Sequence, residues 1–231
     1  MAGLPIVFAC GQLLTGRVFE PQISALSARH TVSISDHQSD DSIAGMAARL
    51  LADAPERFAL VGHAMGGFIA FEVMRQAPER VDRLALLATL APNDGPAQTE
   101  RRQGYIRLVE EGRFQQIIEE RIPMLFSPAA RDDEALLTIA RQMAADTGAA
   151  KFLRQQRAIM SRADSRPTLG RIVVPTALLW GDADGITSRA HQDEILHGIA
   201  GSTLTVIPGA GHLLTLEQPE VVTAALEHWL G

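Results

Sequence analysis

Three short segments, widely separated in the chain, carry residues whose types and surroundings suit acid–base chemistry. The apolar run Phe58-Ala59-Leu60-Val61 leads into Gly62-His63-Ala64-Met65-Gly66-Gly67, and an apolar helical stretch follows. Small residues on both sides of an apex are what a very sharp strand-to-helix turn requires, and the pattern is that of a nucleophile elbow, G-x-S-x-G. Its apex here is Ala64, whose methyl group carries no nucleophilic atom. Gly181-Asp182-Ala183-Asp184-Gly185 follows the apolar run Thr176–Trp180, and Pro208-Gly209-Ala210-Gly211-His212 follows Thr203–Ile207. An imidazole exchanges protons near neutral pH, and a carboxylate bonded to its other nitrogen fixes its tautomer and stabilises the imidazolium. Each segment alone has a plainer explanation: a packed corner, an aspartate in a turn, a surface histidine. Together, each at the end of a strand and in the chain order apex, acid, histidine, they point to one constellation.

Bringing those segments together needs a scaffold, and the hydrophobic pattern supplies one. Ile6–Cys10, Thr31–Ser35, Phe58–Gly62, Arg83–Ala88, Thr176–Trp180 and Thr203–Ile207 read as strands, separated by helical stretches at 19–28, 42–52, 66–76, 189–199 and 219–230. Apolar runs that do not alternate imply burial on both faces, as in a parallel sheet, so the fold class is α/β with a mostly parallel central sheet flanked by helices. The rhythm breaks between residues 91 and 171, where helical patterns at 98–110, 114–121, 132–146 and 151–162 follow one another without a strand. The expected organisation is therefore a core of residues 1–90 and 172–231 with a helical cap insertion at 91–171, over one edge of the sheet.

Composition narrows the function classes. Of 231 residues, 46% are hydrophobic and 21% charged, which excludes a disordered or collagenous chain. At this length roughly 70% of the unfolded surface is buried on folding, with no need of a disulfide or metal. The net charge of −6 and the lack of a basic block argue against nucleic acid and anionic membranes as partners. Cys10 is the single cysteine, so no internal disulfide or thiolate metal cluster is expected. The apolar N-terminus lacks a basic flank and reads as a first strand rather than a signal peptide, and no apolar stretch reaches membrane-spanning length. A cytoplasmic protein is the expectation.

With these segments in view, the chain resembles the α/β-hydrolase superfamily, in particular its small bacterial esterase-like members with a helical cap. The resemblance spans nearly the whole chain and is carried by Gly62–Gly67, Gly181-Asp182-Ala183-Asp184 and Gly209-Ala210-Gly211-His212. It implies His212 as general base and Asp184 as its acid, since the family places the acid three residues after the glycine; Asp182 is the rival. It implies an oxyanion hole from the backbone N–H groups of Met65 and of the loop Ala9–Leu14, with Gln12 the best candidate there. Two departures stand out: Cys10-Gly11 replaces the common His-Gly, and Ala64 replaces the nucleophilic serine. Leu13, Arg17, Phe126 and Leu213 are the expected substrate contacts, with Met124 and Leu125 beside Phe126 as further candidates for lining an acyl pocket and Arg17 a candidate for meeting a carboxylate. Cys10 reads as a buried hydrophobe, His63 as a packing or hydrogen-bonding residue, His37 as part of a solvated loop, and His30 and His191 as surface residues.

The implied activity is hydrolysis of a small to medium carboxylic ester or lactone by a Ser-His-Asp triad, without metal or organic cofactor, in a form inactivated at Ala64. Two alternatives stay open: a natural non-catalytic ligand- or partner-binding relative, and an enzyme in which the His–Asp pair moves protons without a nucleophile. The pattern does not separate esters from lactones, thioesters or carbon–carbon bonds, nor does it give the oligomeric state.

Overall fold

The computed structural model describes residues 3–231; Met1 and Ala2, at the start of the segment read as the first strand, lie outside the described residues. The first half of the chain forms β1 (Gly3–Ala9), α1 (Glu20–Leu26), β2 (His30–Ile34), α2 (Ile43–Asp53), β3 (Phe58–His63), α3 (Met65–Gln76) and β4 (Val81–Leu87). Helices α4 (Pro96–Glu110), α5 (Phe114–Arg121), α6 (Glu134–Met160) and α7 (Arg166–Leu169) follow. The chain then returns through β5 (Thr176–Gly181), α8 (Arg189–Gly198), β6 (Thr203–Ile207), α9 (Leu214–Glu217) and α10 (Pro219–Leu230). All six strands are parallel, in the order β2-β1-β3-β4-β5-β6, the α/β architecture that the alternating pattern predicts. Among the described residues no helix is long and apolar enough to cross a membrane.

Position in the sheet explains the strand sequences. Central β3 and β5 are buried at every residue because helices cover both faces. Along β1, Ile6 and Phe8 enter one core with Phe19, Leu226 and Trp229, while Val7 and Ala9 enter a second core with Met46, Leu50, Ile69 and Ile195. Each fully buried Phe, Leu or Ile adds about 1.5–3 kcal/mol. The edge strands β2 and β6 are less buried, and their sequences, His-Thr-Val-Ser-Ile and Thr-Leu-Thr-Val-Ile, mix polar residues into the apolar run accordingly.

Between β4 and β5 the chain is helical throughout. The two helical stretches read at 132–146 and 151–162 join into the single span α6, bent at Gly148, where φ 71° and ψ 164° leave the helical region. Glycine reaches that conformation without a Cβ clash.

The site's position follows from topology. From β1 the chain runs outward to β2 at the sheet edge, then returns across β1 to β3 on its other side. The loops leaving the carboxyl ends of β1 and β3 therefore diverge, and a crevice opens at such a switch point. The segments after β5 and β6, which carry Asp184 and His212, end on the same edge of the sheet.

Candidate active site

Ala64 occupies the turn from β3 into α3 with φ 52° and ψ −112°, a conformation that L side chains rarely adopt. Such backbone strain costs about 1–3 kcal/mol and persists only where the surroundings over-determine it. Here they do. The Ala64 N–H donates to the Leu87 carbonyl at 2.9 Å, and the Gly67 N–H donates back to the Ala64 carbonyl at 3.0 Å. The Thr89 hydroxyl donates to the same carbonyl at 2.8 Å. Gly66 has no alternative, because a Cβ there would collide with the Ala9 carbonyl of β1. The elbow is thus shaped by backbone and neighbours, and alanine at its apex preserves it. On the far side the β1 loop comes close: a methyl on Gly11 would lie 3.1 Å from the Ala64 Cβ.

His212 is buried, 5% exposed, with its Nδ1 3.0 Å from Asp184 Oδ2. The Asp184 carboxylate also accepts the Ile186 N–H at 2.7 Å, the Thr187 N–H at 3.2 Å and the Thr187 hydroxyl at 2.5 Å. Burial opposes its charge, but His212 and these donors outweigh burial and hold its pKa below the usual carboxylate value. The imidazole cannot drift, because its backbone is pinned from two directions. His63 Nε2–H donates to the His212 carbonyl at 2.8 Å, and the Leu213 N–H donates to the Leu125 carbonyl at 3.1 Å. Asp182, the rival acid, turns away from the imidazole and accepts the Gly209 N–H at 2.7 Å, which shapes the turn leading to His212. Gly181 lets that turn pack onto β5, since a Cβ there would strike the Ala210 carbonyl.

Ala64 and His212 border one cavity of about 220 Å³. Gln12, Leu13, Leu14, Met65 and Thr187 complete its sheet side, and the helical segment supplies the opposite wall, including Tyr105, Arg121, Met124, Leu125 and Ile159. Met65 opens α3, whose N-terminal N–H groups and dipole favour negative charge next to residue 64. The loop carrying Gln12 is fixed from the helical segment: Leu13, at φ 63°, donates its N–H to the Gln155 side-chain oxygen at 3.2 Å. A carboxylate-bound imidazole, a strained apex and the N-terminal N–H groups of α3 thus meet at one cavity, a set able to exchange a proton and to stabilise a developing negative charge.

Of the expected site residues, the structure brings Ala64, His212, Gln12, Met65 and Leu13 to the cavity, with Asp184 behind His212. Three expected substrate contacts need correction. Arg17 sits exposed in the turn Gly16–Phe19, away from the cavity wall. Phe126 and Leu213 are buried in the apolar core and do not border the cavity, whereas Met124 and Leu125, expected together with Phe126, do. His37, expected in a solvated loop, is buried, and burial lowers its pKa to about 4. His191, expected on the surface, is half-buried, borders the cavity and accepts the Ser188 N–H at 3.1 Å. Cys10 is buried and its thiol is pushed up to about 12, so it stays protonated and unreactive. Residues that sequence reasoning left out are Gln155 and the cavity-facing arginines Arg101, Arg102, Arg121 and Arg162. No local motif marks them, because helices distant in sequence bring them together.

The six-stranded parallel sheet and the strained elbow between β3 and α3 define the class of fold to which the chain belongs. Residues 6–225 match the model of the alpha/beta hydrolase family, and the chain belongs to that family. It is 30% identical over 189 residues to the pimeloyl-[acyl-carrier protein] methyl ester esterase of Pectobacterium carotovorum, spanning 79% of this chain and 73% of that protein. The 3-oxoadipate enol-lactonase 2 of Acinetobacter baylyi is 29% identical over 168 residues, spanning 72% of this chain and 61% of the lactonase. Among solved structures, a thermophilic esterase from Thermogutta terrifontis superposes with a TM-score of 0.90 at 27% identity, covering 99% of this chain and 90% of the esterase. The enol-lactonase from Burkholderia xenovorans, at 20% identity, shares the fold with a TM-score of 0.87, covering 99% of this chain and 92% of the lactonase.

Proposed function

We propose that this chain is a carboxylic ester or lactone hydrolase of the Ser-His-Asp type in a form that lacks the nucleophile, with Ala64 in the serine position and residues 91–171 acting as the cap. The observation that carries this reading is the strained elbow at Ala64, retained although alanine gains nothing from it, on a cavity shared with the Asp184-supported His212. Relatives named as a methyl ester esterase and an enol-lactonase support the ester or lactone class. The cavity suits a small to medium substrate.

The roles follow from the geometry. With a serine at position 64, His212 Nε2 takes the hydroxyl proton as oxygen attacks the carbonyl carbon, and Asp184 stabilises the imidazolium through Nδ1. The tetrahedral oxyanion rests on the N–H groups of Gln12 and Met65, where the α3 dipole adds to their attraction. The protonated His212 then gives its proton to the leaving alkoxide, and water activated by the same imidazole cleaves the acyl–oxygen bond. Alanine permits the binding half of this sequence and no covalent step.

The test is Ala64→Ser assayed with a nitrophenyl acyl ester and a small lactone. We expect turnover in the serine variant and a rate lower by several powers of ten in the alanine form. A folded serine variant inactive across a broad ester and lactone panel would favour a binding protein. Turnover by the alanine form that disappears in His212→Ala would favour proton-transfer chemistry without a nucleophile.

A further inference from the structure

The cavity is partly open to solvent, and the wall supplied by the helical segment is cationic, with Arg101 at its exposed rim. Arg101, Arg102, Arg121 and Arg162 all line it, and Asp94 is the one carboxylate lining it among the described residues. That carboxylate is already shared: Arg162 Nη1 lies 2.8 Å from its Oδ1, and the Arg102 Nε donates to its Oδ2. Arg162 is satisfied further by the Pro92 carbonyl at 2.7 Å and the Ile159 carbonyl at 2.9 Å, and it stacks 4.2 Å from the Phe68 ring centroid. Arg102 reaches the Gln156 side-chain oxygen at 3.1 Å. These two are structural cations with assigned partners.

Arg121 is different. Among the described residues it has no carboxylate partner: its guanidinium lies 4.8 Å from the Tyr105 ring centroid, and its Nε, like that of Arg162, is buried without a hydrogen-bond partner. Burial lowers its pKa, Tyr105 opposes that, and the neighbouring charges of Arg102 and Arg101 lower it further. Arginine does not escape such a site by deprotonation, so the charge stays beside two like charges. Isolated buried charge is costly unless paired, and the guanidinium fork is shaped to receive an oxyanion in two parallel hydrogen bonds.

We propose that Arg121, with Arg101 beside it, is an anion subsite, and that the ester this cavity takes carries a carboxylate on the part remote from its reacting carbonyl. The proposal rests on the ester-binding reading of the same cavity and adds the charge of the substrate. Leu13, Leu125 and Ile159 provide apolar wall for a short methylene chain between the two ends.

Because Ala64 prevents turnover, binding is measured directly on the protein as it stands, by calorimetric titration with monomethyl adipate and with the neutral dimethyl ester. The half-ester should bind about tenfold or more tightly than the diester, the range expected for a charge-assisted hydrogen bond. Arg121→Gln should reduce that preference to about threefold or less, with Arg121→Lys recovering part of it, since a lysine keeps the charge without the fork. Thermal melting checks that each variant is folded. If Arg121→Gln does not fold, Arg101→Gln should still lower the preference, by a smaller factor. Equal affinity for half-ester and diester in the unaltered protein would overturn the proposal, and tighter binding of a phosphate-bearing ester of the same length would overturn its carboxylate assignment. An inactive Ala64→Ser variant with the half-ester preference intact removes the hydrolase reading alone. An active one that hydrolyses neutral and anionic esters equally well removes the anion subsite alone.

Discussion

At the carboxyl edge of the sheet the positions around the elbow are held through their main-chain groups: Ala64 by Leu87, Gly67 and the Thr89 hydroxyl, and His212 through its carbonyl by the His63 ring and through the next residue's N–H by Leu125. In the helical wall opposite, the polar groups are long side chains reaching inward from α4, α5 and the end of α6, tied to one another chiefly through Asp94. The first arrangement does not depend on its apex side chain, since the bonds that hold Ala64 all engage its main chain. The second depends on side-chain charge, and removing one partner leaves others buried and uncompensated. On the proposed reading, chemistry is built into positions fixed through their main chain, and selectivity into replaceable side chains.

The comparison sharpens most where catalysis is read. In an Ala64→Ser background, Asp184→Asn should lower kcat by about 10⁴-fold without unfolding the protein, because the imidazole loses its oriented tautomer. A loss below about tenfold would mean that Asp184 only braces its loop. On the helical side, Asp94→Asn should destabilise the fold by about 3–5 kcal/mol, read from chemical denaturation, since it strands Arg162 and Arg102. A loss under about 1 kcal/mol would place those arginines in water and erase the distinction between the two regions.

Acid provides a third probe. Burial, aided by the neighbouring His212, lowers the pKa of His63 to about 3, and burial lowers that of His37 to about 4. Each imidazole is neutral when folded and charged when unfolded below pH about 6.5. Their contribution is therefore complete above about pH 6.5 and declines as pH falls toward 4, at about 1.4 kcal/mol per pH unit for each histidine. Asp94 has the opposite chemistry but the same sign: Arg102 and Arg162 overcome its burial and depress its pKa, so its contribution is lost only at still lower pH, below about 4. Denaturation measured from pH 7 to 4 should show that slope, and His63→Gln should remove about half of it. A flat profile would contradict the buried neutral state of both rings. The smallest effect belongs to the tie between the regions: Gln155→Leu leaves the Leu13 N–H unpaired and should cost about 1–3 kcal/mol. In the serine background it should also slow kcat by disturbing the Gln12 loop.

The same contrast governs what could be read before the structure. The six strands, the elbow and the acid and base segments are contiguous patterns, in which glycines and apolar runs report backbone constraints directly. His37 was misread because Asp36-His37-Gln38-Ser39 looks solvated, whereas packing after β2 buries the ring. Of Met124, Leu125 and Phe126, the first two border the cavity; at Phe126 the chain turns extended and its ring is buried in the core. Arg17, a candidate only as a charge able to meet a carboxylate, is exposed in the turn Gly16–Phe19, while Arg121 lies more than a hundred residues away in α5, Phe114–Arg121, whose sequence reads only as a helix. Side-chain convergence between distant helices leaves no local signature.

The central claim, that only one oxygen atom separates this site from an acyl-transfer centre, is tested most directly by covalent labelling of Ala64→Ser with a fluorophosphonate, read by mass spectrometry of the intact protein and its peptides. The account predicts one adduct, located at position 64, absent from the unaltered chain and greatly slowed when His212→Ala is added. A folded serine variant that resists labelling, or labels equally fast without the imidazole, would contradict it.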